Sequence, residues 1–125
     1  MVSKTKKRMI VGVLIVAVIA AWFLMSGRSS GPGPYDAFAQ CLTEKGAVFY
    51  GAFWCSHCAT QKEMFGKSVG LVNYVECSTP DGRGQTQACV TKNIEGYPTW
   101  EFADGSRVSG TQSFETLAIR TGCTV

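Results

Sequence analysis

The sequence predicts an α/β domain, a mixed four-stranded sheet flanked by helices, preceded by one N-terminal transmembrane helix. Three observations lead there. Met9 to Gly27 is an uncharged, mostly aliphatic run of 19 residues. From Tyr35 onward, short β-type runs alternate with helix-compatible ones in the order αβαβαββα. Between the first strand and the helix after it, Phe53-Trp54-Cys55-Ser56-His57-Cys58 sets two cysteines at the spacing of one helical turn.

The N-terminal run, read as a helix, is about 28 Å long and matches the roughly 30 Å hydrocarbon core of a bilayer. Lys4, Lys6, Lys7 and Arg8 precede it. By the positive-inside rule, residues 1–8 stay cytoplasmic, 9–27 form a signal anchor of the cytoplasmic membrane, and the rest is extracytoplasmic, which means periplasmic in a bacterium. A cleaved signal peptide is the alternative. The apolar run is long for one, and Trp22-Phe23-Leu24-Met25 stands where small residues are expected. Residues 28–34, rich in Ser, Gly and Pro, read as a tether. Residues 35–125 then form one small domain. The whole chain carries +3, but residues 29–125 hold seven basic and nine acidic residues, a net of −2. The basic balance belongs to the anchor, so it gives no support for nucleic-acid binding.

Within the domain, Phe38 and Leu42 define one face of a helix over 36–45, stopped by Gly46. Residues 47–53 read as a buried strand, 55–67 as the helix that begins at the cysteine pair, and 71–77 as a second strand. A loop over 79–85 leads to a short helix over 86–92. Strands over 97–103 and 106–110 pair across Asp104-Gly105, a strong turn signal. Ser113 caps a final helix that ends at Gly122.

The chemistry follows from the position of Cys55. A helix N-terminus offers free N–H groups and the positive end of the helix dipole, and a protonated His57 adds charge. Together they lower a thiol pKa from about 8.5 towards roughly 3.5–7.5. Cys58, one turn on, can close a disulfide with Cys55, which is the arrangement for thiol–disulfide exchange. Half a zinc site is the other reading of such a pair, but Cys77 and Cys89 lack the spacing of a second knuckle. No metal or organic cofactor is expected. All six cysteines fall in the domain, and an even count in an exported small domain points to disulfides. With Cys55–Cys58 as one pair, three pairings of the other four remain. Cys41 in the first helix and Cys123 after the last favour one bond, and Cys77 and Cys89, flanking one loop, favour the other. Trp54 and Tyr97 are expected as an aromatic rim beside the pair, where substrate binds.

These motifs resemble the thioredoxin superfamily: Trp-Cys-x-x-Cys between strand and helix, Pro98 some forty residues on, then a hairpin and a helix. Tyr50-Gly51-Ala52-Phe53-Trp54-Cys55, Tyr74-Val75-Glu76-Cys77 and Gly96-Tyr97-Pro98-Thr99-Trp100 are similar to the thioredoxin-like, DsbA-like domain of bacterial vitamin K epoxide reductase homologues. The resemblance implies a minimal thioredoxin-like fold with Cys55 as nucleophile, Cys58 as resolving thiol, Cys77–Cys89 as a second disulfide, and a cis Pro98 in the substrate-binding rim. It implies an oxidant of exported cysteine-containing proteins, reoxidised by a quinone-linked membrane oxidase. The histidine in the similar motif of DsbA-type oxidases stabilises the reduced thiolate, which gives His57 the same expected role. One departure stands out. Thioredoxins proper carry a buried Asp six positions before the first cysteine, and this chain has Phe49 there, which weakens a reductase role; an extracytoplasmic reductase or isomerase is one alternative reading. A non-catalytic binding module held by disulfides is the remaining alternative.

Overall fold

The computed structural model describes residues 3–25 and 31–125. It divides into two units, Met1–Gly31 and Pro32–Val125. In the first, helix α1 spans Lys4–Met25. Among the described residues no helix is long and apolar enough to cross a membrane, which corrects the transmembrane helix expected over 9–27. The helix begins at Lys4, so Lys4, Lys6, Lys7 and Arg8 make up its first turns. Residues 26 and 27 of the expected span lie outside the described residues, as do 1–2 of the N-terminal segment and 28–30 of the expected tether.

The second unit contains α2 (Asp36–Glu44), β1 (Val48–Gly51), α3 (Ser56–Phe65), a 3-10 turn (Gly66–Leu71), β2 (Tyr74–Glu76), α4 (Gln87–Thr91), β3 (Thr99–Glu101), β4 (Arg107–Ser109) and α5 (Phe114–Thr121). The sheet order is β2-β1-β3-β4. The β1–β2 pair is parallel, with Gly51 opposite Glu76, while β1–β3 and β3–β4 are antiparallel.

Period-2 alternation along β1 divides the core. Phe49 points to one face and packs with Phe38 and Leu42 of α2, Cys58 and Phe65 of α3, Trp100 of β3 and Leu117 of α5. Val48 and Tyr50 point to the other, towards Cys77, Cys89 and Ile94. The Phe49 and Trp100 rings stack at 5.0 Å, and Phe65 meets Phe114 at 4.7 Å. Each fully buried large apolar side chain stabilises by about 1.5–3 kcal/mol, so this aromatic face dominates the fold.

Local chemistry sets the element ends. Ser113 Oγ accepts the Thr116 N–H at 3.1 Å, an N-cap, and Gly122 closes α5 in the left-handed region at φ 75°. The β3–β4 turn has Gly105 at φ +81°. The expected strand over 71–77 shortens to Tyr74–Glu76, and its first residue, Leu71, ends a 3-10 turn over Gly66–Leu71. The expected strand start at 97 moves to Thr99, since Pro98 has no N–H for the ladder.

Candidate active site

The parallel β1–β2 pairing ends at Gly51, and the chain turns through Ala52, Phe53 and Trp54 into α3. Cys55 occupies the N-cap of that helix with extended backbone angles, φ −80° and ψ 117°. Its Sγ accepts the Cys58 N–H at 3.2 Å. A helix start leaves its first N–H groups without intrahelical partners, and here one of them is spent on sulfur. Both Cys55 and Cys58 are free thiols. Cys55 is 8 % exposed and Cys58 1 %. Cys55 is thus only slightly exposed, and Cys58 is the more deeply covered. Burial pushes the Cys58 thiol up to about 12; the adjacent Cys55 sulfur adds to this, against opposing effects of the Ala52 backbone and Lys62.

His57 is exposed on the first turn of α3, and its carbonyl accepts the Thr111 hydroxyl at 3.1 Å. Trp54, 56 % exposed, donates its indole N–H to Ser78 Oγ at 2.9 Å. Its ring meets Tyr97 edge-on at 5.8 Å. Tyr97 Oη in turn accepts from Gln85 Nε2 at 2.7 Å. Pro98 is buried, and the Tyr97–Pro98 peptide is cis. The structure therefore brings Trp54 and Tyr97 together on the chain segments that carry Cys55 and Pro98. Two disulfides are formed. Cys41–Cys123 joins α2 to the segment after α5, and Cys77–Cys89 closes the loop between β2 and α4. Among the described residues no group of three His, Cys, Asp or Glu side chains is placed to hold a metal.

Sequence reasoning missed the polar residues that hold this site. Glu76 Oε1 accepts the Phe53 and Ser78 N–H groups at 3.1 and 2.9 Å, pinning the turn before Cys55. Its Oε2 accepts the Tyr74 hydroxyl at 2.7 Å. The signal was present, since residues i and i+2 of a strand share a face. Gln61 is fully buried and bridges three elements. Its Oε1 accepts Trp100 Nε1 at 3.1 Å and the Gln112 N–H at 2.7 Å, while its Nε2 donates to the Gln112 carbonyl at 3.1 Å. Its stripe with Cys58 and Phe65, at i, i+3 and i+7, marked it as inward-facing.

The four-stranded mixed sheet, the helix that starts on a Cys-x-x-Cys pair and the strand that follows a proline make this a thioredoxin-like arrangement. No protein-family model matches the chain. It is similar to a curated relative, the thiol-disulfide oxidoreductase LTO1 of Arabidopsis thaliana, at 47% identity over 100 residues. That alignment covers 75% of this chain and 26% of the relative, so the chain spans about a quarter of that protein's length.

Proposed function

We propose that the chain is a thiol–disulfide oxidoreductase, working as an oxidant of exported cysteine-containing proteins. The observation that carries the reading is the pair of free thiols at the start of α3, with Cys55 at the N-cap and Cys58 behind it. In the oxidised state a substrate thiolate attacks Cys55 Sγ. The Cys55–Cys58 bond breaks, and Cys58 leaves with its electron pair and takes up a proton. A second substrate thiolate attacks the substrate sulfur of the mixed disulfide and expels Cys55. Two electrons have moved, the substrate holds a disulfide, and the domain is a dithiol. Trp54, Tyr97 and Pro98 form the rim against which the substrate lies, and His57, when protonated, favours the reduced Cys55.

The oxidising direction is supported by Phe49, an apolar ring where a carboxylate would serve a reductase, and by two further disulfides, which persist in oxidising compartments. The same proposal places the domain outside the cytoplasm, with α1 associating with a membrane. Met9, Ile10, Val13, Leu14 and Val16 of that helix are exposed, next to four basic residues. The reoxidant is then a separate quinone-linked membrane oxidase of the vitamin K epoxide reductase type, and residues 35–125 are the counterpart of the thioredoxin-like domain fused to such enzymes.

Titration in glutathione buffers tests the central claim. A Cys55–Cys58 potential between about −270 and −120 mV is expected, and one below about −300 mV makes the bond structural. The partners are tested by purifying the Cys58→Ser protein from its native membranes. A membrane oxidase and exported proteins joined to Cys55 are expected, and recovery of neither refutes the assignment.

A further inference from the structure

Two hydrogen bonds at the start of α3 share one peptide group. The His57 carbonyl accepts the Thr111 hydroxyl at 3.1 Å. The N–H of the same peptide belongs to Cys58 and donates to Cys55 Sγ at 3.2 Å. The peptide is trans, and a trans peptide is planar, with its C=O and N–H on opposite sides. Hydroxyl, peptide and sulfur therefore form one chain of donors and acceptors that ends on the thiol expected to attack.

The hydroxyl is held in place from both sides. Gly110, at φ +88°, turns the chain out of β4, and its N–H donates to the Pro98 carbonyl at 2.8 Å. The Gln112 N–H donates to Gln61 Oε1 at 2.7 Å, and its carbonyl accepts Gln61 Nε2 at 3.1 Å. Gln61 is fully buried on α3, one turn beyond His57. Residues 110–112 are thus tied both to Pro98 and to α3, with Thr111 between the two ties. Thr111 is itself exposed, so water could serve its hydroxyl, and burial does not explain the contact. A carbonyl oxygen has two lone pairs, so the hydroxyl adds to the helix ladder without displacing it.

We propose that Thr111 is a positioning residue for the nucleophile: through the His57–Cys58 peptide its hydroxyl strengthens the N–H bond to Cys55 Sγ and favours the thiolate over the thiol. This rests on the redox reading of Cys55 and Cys58. Hydrogen bonds to an ionised partner are about twice as strong as those between neutral groups, so the N–H bond favours sulfur that has lost its proton. A donor on the carbonyl draws electron density through the peptide and makes the N–H a better donor. Such chains strengthen by about 10–30 % per bond, and for a bond to a charged acceptor that shifts the thiol–thiolate balance by about threefold. The path uses only the His57 backbone, so it is separate from any charge on the imidazole. The other titratable groups around this end of α3 are Cys58, His57 and Lys62 on the helix, Tyr74 and Glu76 on β2, and Tyr97 before β3. A change at Thr111 leaves all of them in place.

The test compares Thr111→Val, which keeps the side-chain shape and deletes the hydroxyl, with Thr111→Ser, which keeps the hydroxyl and deletes the methyl. The full chain, with Cys55–Cys58 selectively reduced, is alkylated with iodoacetamide across a pH series, and labelling of Cys55 is followed by peptide mass spectrometry. In Thr111→Val the midpoint of the rate profile should rise by about half a pH unit, the equivalent of a threefold change in equilibrium. Labelling below the midpoint should slow by about threefold. Thr111→Ser should keep the parental midpoint. A parental midpoint in Thr111→Val overturns the inference, and so does an equal rise in Thr111→Ser, which traces the effect to the methyl. Should Thr111→Val fail to fold, Thr111→Ala is read against Thr111→Ser in the same way. A parental Cys55–Cys58 potential below about −300 mV refutes the redox reading itself, whichever way the Thr111 variants titrate.

Discussion

Replacing Gln61 with Leu should destabilise the domain by about 3 kcal/mol. The substitution keeps side-chain volume and removes one amide that bonds Trp100, both backbone groups of Gln112 and, at 3.6 Å, Met64 Sδ. Trp100 Nε1, in a fully buried residue, loses its acceptor at 3.1 Å, the Gln112 N–H loses one at 2.7 Å, and the Gln112 carbonyl loses a donor. Each buried polar group left unpaired costs about 1–3 kcal/mol, and the added burial of Leu offsets part of the sum. In urea, with an m-value of about 1 kcal/mol/M, the midpoint should fall by about 3 M at unchanged slope. A second substitution separates cause from coincidence. In Gln61→Leu with Trp100→Phe, one of the orphaned groups is gone, so the two losses should be sub-additive by about 1 kcal/mol. A single-variant loss under about 1 kcal/mol, or strict additivity in the pair, would refute the claim that Gln61 is held for these hydrogen bonds.

The two disulfides should differ in worth. In the chain-entropy treatment, with sequence separations of 82 and 12, Cys41–Cys123 stabilises by up to about 4.5 kcal/mol and Cys77–Cys89 by about 3. Cys41→Ala with Cys123→Ala should therefore melt below Cys77→Ala with Cys89→Ala, and the reverse order would contradict the loop-length account. Glu101 bridges Lys92 at 3.1 Å and binds Arg107 Nε at 2.8 Å. Burial resists its ionisation, but Arg107 and Lys92 outweigh that and hold the carboxyl below its ordinary value. A depressed folded pKa gives stability that is complete above the unfolded value near 4.3 and is lost as pH falls through the folded one. The advantage of the parent over Glu101→Gln, of about 1 kcal/mol or less, should thus be present at pH 7 and vanish in acid. An advantage that grows on acidification refutes the sign.

Features whose cause is local were readable from the sequence. Ser113 and Gly122 bound α5, Asp104-Gly105 turns the hairpin, and the Cys-x-x-Cys pair opens α3, because capping and turn chemistry act within a few residues. Element lengths were less so. A 3-10 turn took the first residue of one expected strand, and a proline delayed the start of another. The least readable parts were Glu76, Tyr74, Gln61 and Ser78. Local pattern marks the faces of Glu76, Tyr74 and Gln61, but their roles depend on registers such as Gly51 opposite Glu76, which long-range packing sets. The N-terminal segment differs for another reason. Its helix starts at Lys4, in the basic cluster, ahead of the apolar run that begins at Met9.

The Cys77–Cys89 bond has a bearing on when the aromatic rim is completed. The loop it closes carries Ser78, whose hydroxyl holds the Trp54 indole, and Gln85, whose amide holds the Tyr97 hydroxyl. Both halves of the aromatic rim are thus braced from a stretch of chain whose ends are joined by oxidation. A newly made copy with Cys77 and Cys89 still reduced owns the Cys55 and Cys58 pair but lacks the clamp beneath the rim. On the oxidising role proposed above, the domain is a customer of disulfide formation before it is its agent, and its working population is set by its own maturation as well as by its synthesis.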